Sequence, residues 1–188
     1  VNDLSGIFAA VGVPAVNGAN MRFDEANAAG GVHGRQIKFV VEDNGYQIPR
    51  AMQGYNKRLN RDKAFAMLLS LGTPMNVAGF KLLDHKGIPN VGPLSAARQM
   101  LQDPMNNKFI GFSSYYDQVQ VGVKYLAGEF DSKEVCSMYI PSDFGKEIQE
   151  STKDISEELG LTYAAETSHK PDELDFVGPL TKRKSAGC

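Results

Sequence analysis

The stretch that decides the fold is residues 21–44, MRFDEANAAGGVHGRQIKFVVEDN, in which a helical pattern, a glycine-rich stop and a strand pattern follow one another. Apolar residues recur at helical spacing through its first part and just before it: Ala15, Ala19, Phe23 and Ala26. Gly30, Gly31 and Gly34 then supply positions that tolerate a positive φ, where a helix ends and the chain reverses. Residues 37–41 are nearly all β-branched or aromatic, which is typical of a strand covered on both faces. The stretch therefore predicts one helix-to-strand unit of an α/β protein.

The same alternation of helix and strand patterns continues along the chain, and it is typical of a parallel sheet with helical crossovers. The predicted helices cover residues 49–61, 74–86, 117–128, 144–159 and 176–186. The predicted strands cover residues 37–41, 64–69, 88–91, 109–112, 135–140 and 161–166. We expect the chain to cross into a second lobe near residues 112–116.

Composition indicates an ordinary globular protein and excludes several functional classes. The chain has 188 residues, of which 42% are hydrophobic and 22% charged, and its net charge is −2. Its basic residues are scattered, which argues against a nucleic-acid partner. No apolar run is long enough to insert into a membrane, and no leader precedes Val1, so we expect that an export signal has been removed. Cys136 and Cys188 are too few for a disulfide framework, and Cys136 is expected to be a small core residue.

Several motifs together resemble one known family, the branched-chain amino-acid binding proteins that serve as extracytoplasmic receptors of ABC importers. The motifs occur in that family's order and at about its spacing: Leu4-Ser5-Gly6 with Gly12, Asn27-Ala28-x-Gly30-Gly31-x-x-Gly34-Arg35-x-Ile37, Val41-Glu42-Asp43-Asn44, Leu71-Gly72-Thr73-Pro74-x-Asn76-x-Ala78, Gly87-Ile88-Pro89 and Asp143-Phe144-Gly145-Lys146. The resemblance runs from the first residues to the last but reaches only about the first half of the family's usual chain.

The resemblance implies a periplasmic-binding-protein-like α/β fold with two doubly wound parallel-sheet lobes, here a truncated N-terminal half. Lobe one is expected over residues 1–112, without its first strand, and the start of lobe two over residues 113–188. The open sheet edge this leaves would favour pairing with another chain. The resemblance also implies a periplasmic or membrane-anchored location, a small-molecule solute and a membrane permease as partners, and no enzymatic activity.

The first candidate site is the loop Ser70-Leu71-Gly72-Thr73-Pro74, where a predicted strand ends and a helix begins. Free N–H groups at a helix start, together with the Thr73 hydroxyl, suit a carboxylate, and ligands of open α/β sheets sit outside such strand ends. The alternative is that Thr73 merely caps its helix. In the family that the chain resembles, the matching loop, including Gly72 and Thr73, holds the carboxylate of the ligand.

The second candidate site is Gly92-Pro93-Leu94-Ser95-Ala96, which follows the next predicted strand and resembles the other ligand loop of lobe one. Leu94 would supply backbone atoms and Ser95 a hydroxyl, and Thr73 and Ser95 are expected on one face at adjacent strand ends. Ala96 stands where the resemblance leads one to expect threonine, which argues against recognition of an α-amino group. The alternative is an ordinary turn with a solvated Ser95.

The third candidate site combines Tyr115, Tyr116 and Asp117, expected at the exit from the crossover, with the loop Ser142-Asp143-Phe144-Gly145. Aromatic side chains on such loops can cover a small ligand, and Tyr116 is expected to close over it only in a closed form. The alternative is that the tyrosine pair is packing at a helix start.

Templates for enzymes find no support in the sequence. There is no Gly-x-Gly-x-x-Gly, no Walker loop and no Gly-x-Ser-x-Gly elbow. His33, His85 and His169 are isolated from one another, so no metal site and no cofactor is expected. Asp43 and Asp143 each follow a predicted strand, and nothing in the sequence pairs them.

These observations lead to one prediction of function and one alternative. The chain is predicted to be an extracytoplasmic solute-binding protein of an ABC importer that binds a branched-chain amino acid or an aromatic or hydrophobic acid by hinge closure of an interlobe cleft. The alternative is the ligand-sensing domain of a regulator or receptor with the same fold. Genes for a permease and ATPases beside this one would favour transport.

Overall fold

A computed structural model describes all residues, Val1–Cys188, and groups them into two compact units. The first comprises Val1–Ser95 and Asp103–Gly111, and the second comprises Ala96–Gln102 and Phe112–Cys188. The chain therefore passes between the units three times. No helix is both long and apolar enough to cross a bilayer.

The first unit is built of helices around a short parallel sheet. Its helices are α1 (Ala9–Ala28), α2 (Ile48–Asn56), which continues as a π-helical turn (Lys57–Arg61), and α3 (Thr73–Lys86). Its strands are β1 (Met67–Leu68), β2 (Asn90–Val91) and β3 (Lys108–Phe109), in the order β1-β2-β3, with Met67 beside Asn90 and Asn90 beside Lys108. The core lies between α2, α3 and β1 and includes Tyr55, Met75 and Leu83.

The glycine turn after α1 behaves as the sequence predicts. Gly30 and Gly31 have φ of 100° and 80°, and a Cβ on Gly31 would lie 2.2 Å from the carbonyl oxygen of Arg35. The Asn27 side chain fastens the returning chain, because it donates to the Ile37 carbonyl (2.9 Å) and accepts from the Ile37 amide (2.7 Å). The α1 helix and its reversal are therefore confirmed.

The strand predicted over residues 37–41 is wrong as a paired strand. Backbone pairing with the N-terminal residues begins only after residue 41. There the Asn2 amide donates to the Glu42 carbonyl (2.9 Å), and the Asn2 carbonyl accepts from the Asn44 amide (2.8 Å). No described residue continues this register alongside residues 37–41. A cavity of about 1000 Å³ lies there, lined by residues 36–41 and 64–68, and Phe65 beside it is 86% exposed.

The Asp43 carboxylate holds the N-terminal loop in place. It accepts hydrogen bonds from the Leu4 amide (2.9 Å), the Ser5 hydroxyl (2.6 Å) and the Gly45 amide (3.0 Å), and it pairs with Arg50 (3.3 Å). Partial burial acts to raise its pKa, but these hydrogen bonds and Arg50 outweigh it and lower the pKa to about 2.

The second unit is a layered α/β arrangement. Its elements are a 3₁₀ turn (Arg98–Leu101), α4 (Tyr115–Glu129), β4 (Glu134–Tyr139), α5 (Asp143–Glu158), β5 (Thr162–Ser168) and α6 (Val177–Ser185). β4 and β5 pair in parallel, and α5 and α6 both pack against β5. These bounds lie within about two residues of the predictions for every one of the five regular elements.

Local signals explain why the second unit begins and ends its helices where it does. Ser114 and Ser142 cap α4 and α5, since their hydroxyls accept from the amides of Asp117 (3.0 Å) and Gly145 (3.4 Å). A Cβ on Gly145 would lie 1.8 Å from the Ile140 carbonyl oxygen. Only glycine therefore lets α5 start so close to the end of β4.

The expectation that Cys136 is merely a core residue is wrong. Cys136, on β4, forms a disulfide with Cys188, and their Cα atoms are 6.2 Å apart. The bond fastens the chain after α6 to the sheet. Sequence spacing alone gave no reason to pair two cysteines that lie 52 residues apart.

The disulfide is expected to stabilise the second unit. Closing a loop of 52 residues restricts the unfolded chain and contributes roughly 4 kcal/mol in the chain-entropy model. Cys188→Ser should lower the midpoint of urea unfolding of this unit to that of the wild type in reducing agent, and it should itself be insensitive to the reductant. A wild-type midpoint that does not respond to the reductant would contradict the cross-link.

Asp43 is expected to give the first unit a pH-dependent stability. Because its folded pKa is about 2 against an ordinary 3.8, its contribution is fully present above pH 4 and disappears as the pH falls through about 2. After allowance for partial exposure we expect about 1–2 kcal/mol. Urea unfolding at pH values from 7 to 2.5 would measure the free energy of unfolding of the wild type and of Asp43→Asn. The difference between the two proteins should become smaller in acid. Asp24→Asn, which changes an exposed carboxylate of α1, should show no such gap.

Candidate functional site

The candidate site in the first unit is formed where β1 and β2 end side by side. Beyond the paired strands, Leu71 and Leu94 form a parallel bridge. The Gly72 amide donates to the Leu94 carbonyl (3.2 Å), and the Leu94 amide donates to the Ser70 carbonyl (2.9 Å). The two loops that the sequence singles out are thus joined by backbone hydrogen bonds.

Gly72 makes the sharp turn from β1 into α3. Its φ is 99°, and a Cβ would lie 2.7 Å from the Met75 methyl and 2.9 Å from the Tyr46 ring. Both the backbone conformation and the crowding therefore require glycine. Gly72, not Thr73, is the N-cap residue, and no side chain caps this helix start.

The interpretation of Thr73 as the helix cap is therefore wrong. Thr73 is the first residue of α3, and its hydroxyl lies 2.7 Å from the Ser95 hydroxyl. Both side chains are 2% exposed, so the alternative of a solvated Ser95 is also wrong. Within the pair one hydroxyl donates and the other accepts.

Two buried asparagine side chains hold the loop that carries this hydroxyl pair. The Asn76 side chain donates to the carbonyls of Ser70 and Gly72, both at 2.8 Å, and accepts from the Asn90 side chain at 2.9 Å. Asn76 and Asn90 are fully buried. Their bonds fix the loop that carries Gly72 and Thr73, since a buried amide cannot exchange these partners for water. The sequence motif contains Asn76, but its partners were not predictable from spacing.

The start of α3 carries amide donors that the protein leaves unused. The amides of Thr73 and Met75 donate to no described acceptor, and Pro74 between them has no N–H. These donors lie at the positive end of the helix dipole. Together with the hydroxyl pair they form a group of neutral donors suited to an anion.

The other candidate residues lie in the second unit. The Tyr115 amide donates to the Ala96 carbonyl (2.8 Å), and the Tyr115 ring meets the Phe144 ring edge to face with centroids 4.8 Å apart. Ala96 is buried, while the two rings are half-buried. Ala96, Tyr115 and Phe144 therefore form one cluster that combines a small residue with two aromatic rings.

Tyr116 contacts two charged side chains of the second unit. Its hydroxyl donates to Asp154 (2.5 Å), and the Arg98 guanidinium lies 4.6 Å from the centre of its ring. The hydrogen bond to Asp154 raises the pKa of Tyr116. These contacts hold Tyr116 within the second unit, and its closure over a ligand stays a prediction.

The remaining titratable groups give no second site. No group of three or more His, Cys, Asp or Glu side chains is arranged to hold a metal ion. Asp43 is engaged by the N-terminal loop of the first unit, and Asp143 is the first residue of α5 in the second. None of the predicted site residues lines the cavity beside residues 37–41.

Comparison with known proteins places this geometry in a family. The model of the periplasmic binding protein family matches residues 1–188. An "amino acid binding protein" of Pseudomonas aeruginosa is 24% identical over 171 residues, which cover 91% of this chain and 46% of that protein. The chain thus spans about half the length of the curated relatives it matches.

Two solved structures share the fold closely. One is a branched-chain amino acid ABC transporter protein from Thermus thermophilus with bound valine. Its TM-score is 0.87 at 25% identity, and the match covers 98% of this chain and 48% of the Thermus chain. A fatty acid ABC transporter substrate-binding protein from Thermomonospora curvata has a TM-score of 0.84 at 27% identity, covering 97% and 47%.

These likenesses confirm the fold class and the family resemblance that the sequence predicts. Because the family model matches from the first residue to the last, the chain belongs to the periplasmic binding protein family.

Proposed function

We propose that the protein is the extracytoplasmic receptor of an ABC importer and captures a small solute that carries a carboxylate. The observation that carries the proposal is the buried pair of hydroxyls, Thr73 and Ser95, at the start of α3. A carboxylate accepts from several donors at once, and the amides of Thr73 and Met75 lie beside this pair at the start of α3.

In this proposal, Gly72, Thr73, Leu94 and Ser95 hold the carboxylate. The amides of Thr73 and Met75 and the dipole of α3 both favour negative charge at this position. Gly72 keeps the backbone open to the ligand, and Leu94 holds the neighbouring loop through its two backbone hydrogen bonds. The binding energy comes from neutral donors, so no buried lysine or arginine is needed.

In the same proposal, Ala96, Tyr115 and Phe144 contact the body of the solute, and Tyr116 supports them. An alanine offers no hydroxyl to an α-amino group, and aromatic rings favour apolar or aromatic surface. Relatives described by their names as binding branched-chain amino acids and fatty acids are consistent with a carboxylate on a hydrophobic body. We therefore favour a hydrophobic or aromatic acid over a small polar amino acid.

The protein acts outside the cytoplasm, as its family does, and we propose the periplasm or an anchored position on the outer face of the membrane. The Cys136–Cys188 disulfide supports this, because such bonds persist in oxidising compartments. A membrane permease is the proposed protein partner.

Thr73→Ala in the intact protein is expected to weaken solute binding about ten-fold or more, because a hydrogen bond to a charged group contributes roughly 1.5 to 3 kcal/mol. Calorimetric titration with phenylacetate and with leucine would measure the change. Thr73→Ser keeps the hydroxyl and is the matched control, which should retain most of the affinity. An unchanged affinity in Thr73→Ala would remove this hydroxyl from the site.

A thermal-shift screen of the intact protein is expected to show stabilisation by hydrophobic or aromatic acids such as octanoate and phenylacetate. Their amides, octanamide and phenylacetamide, should have little effect because they lack the negative charge. Stabilisation by leucine, isoleucine or valine, with none by the other acids, would refute the preference while leaving the solute-binding assignment in place. Equal stabilisation by the amides would refute the carboxylate.

A further inference from the structure

A buried carboxylate in the second unit has no place in the function described so far. Glu147 lies on α5 and is 3% exposed. One carboxylate oxygen accepts from the Arg98 amide (2.9 Å), and the other accepts from the Tyr116 amide (3.0 Å). The Arg98 guanidinium lies 3.6 Å from the same carboxylate and balances its charge. Burying a charge in this way is tolerated only with such partners.

The two amides belong to segments that carry proposed site residues. Arg98 begins the 3₁₀ turn two residues after Ala96, and Tyr116 is the second residue of α4, directly after Tyr115. Glu147 is therefore a single side chain that fastens two distant segments to one helix. The Tyr115 amide also donates to the Ala96 carbonyl, so the two segments are aligned with each other as well.

Other residues on the same face of α5 complete this attachment. Glu150, Ser151 and Asp154 follow Glu147 at intervals of three, four and seven residues, which places all four on one side of the helix. Ser151 donates to the Tyr116 carbonyl (2.7 Å), Asp154 accepts from the Tyr116 hydroxyl, and Glu150 pairs with Arg98. The amide, carbonyl and hydroxyl of Tyr116 are thus all held by α5.

We infer that Glu147 is a positioning residue for the solute site: it fixes Ala96 and Tyr115 for the solute without touching it. The inference rests on the proposed function for these two residues. The Tyr115 amide is hydrogen-bonded to Ala96, which lies in the other segment that Glu147 holds, and the Tyr115 ring meets only Phe144 among the aromatic rings. Its position relative to Ala96 therefore depends on the neighbouring amides that Glu147 holds.

Glu147→Gln tests the inference with almost no change of volume. One amide oxygen can still accept, but the NH₂ group faces a backbone N–H and cannot. In the ligand-free intact protein, hydrogen exchange at the Arg98 or Tyr116 amide should quicken about ten-fold, and its proton resonance should move. The affinity for phenylacetate should fall about ten-fold, while Thr73→Ala remains an independent check on the site. Glu150→Gln is the matched control, since it removes the charge of an exposed partner of Arg98 and should alter neither amide.

The readouts separate failure of this inference from failure of the proposed function. Unchanged exchange at both amides in Glu147→Gln would overturn the anchoring role itself. Quickened exchange with unchanged affinity for phenylacetate and leucine, in a protein whose binding requires Thr73, would overturn the link to the site and leave the proposed function standing. Binding that requires neither Thr73 nor Glu147 would overturn both.

Discussion

The adjacency of two parallel strand ends is the constraint on which the first unit's site depends. Because β1 and β2 run in the same direction, their carboxyl ends meet at one edge, and the Leu71–Leu94 bridge carries the pairing into the loops. That bridge brings Thr73 within 2.7 Å of Ser95, which lies 22 residues away in sequence. Gly72 is required at the turn into α3, because a Cβ there would collide with Met75 and Tyr46.

Buried polar groups give both units their local precision. Asn76 and Asn90 hold the loop before α3, and Glu147 holds the start of α4, in each case through backbone groups rather than through contacts between apolar side chains. Hydrogen bonds to buried partners are directional and costly to break, so they fix a loop more exactly than hydrophobic packing does. The hydrophobic cluster around Tyr55 stabilises the first unit, but apolar packing does not fix the orientation of the Thr73 and Ser95 hydroxyls.

Much of the fold could be predicted because its signals are local. Ser142 marks the start of α5 and Gly160 marks its end, so the bounds of the helix agree with the prediction within a residue. Residues 37–41 show the limit, since their apolar pattern is correct for a strand but pairing depends on a neighbour elsewhere. The closeness of Thr73 and Ser95 was predictable from strand order, whereas the cap assigned to Thr73 failed because Gly72 takes that position. Glu147 gave no sequence signal, because its partners lie 49 and 31 residues away.

The two units meet different chemical needs with different groups. In the first, neutral hydroxyls and amides at the start of α3 favour an anion without any buried cation. In the second, the acidic face of α5 is directed at backbone amides, a tyrosine hydroxyl and Arg98, so its negative charge is compensated within the unit.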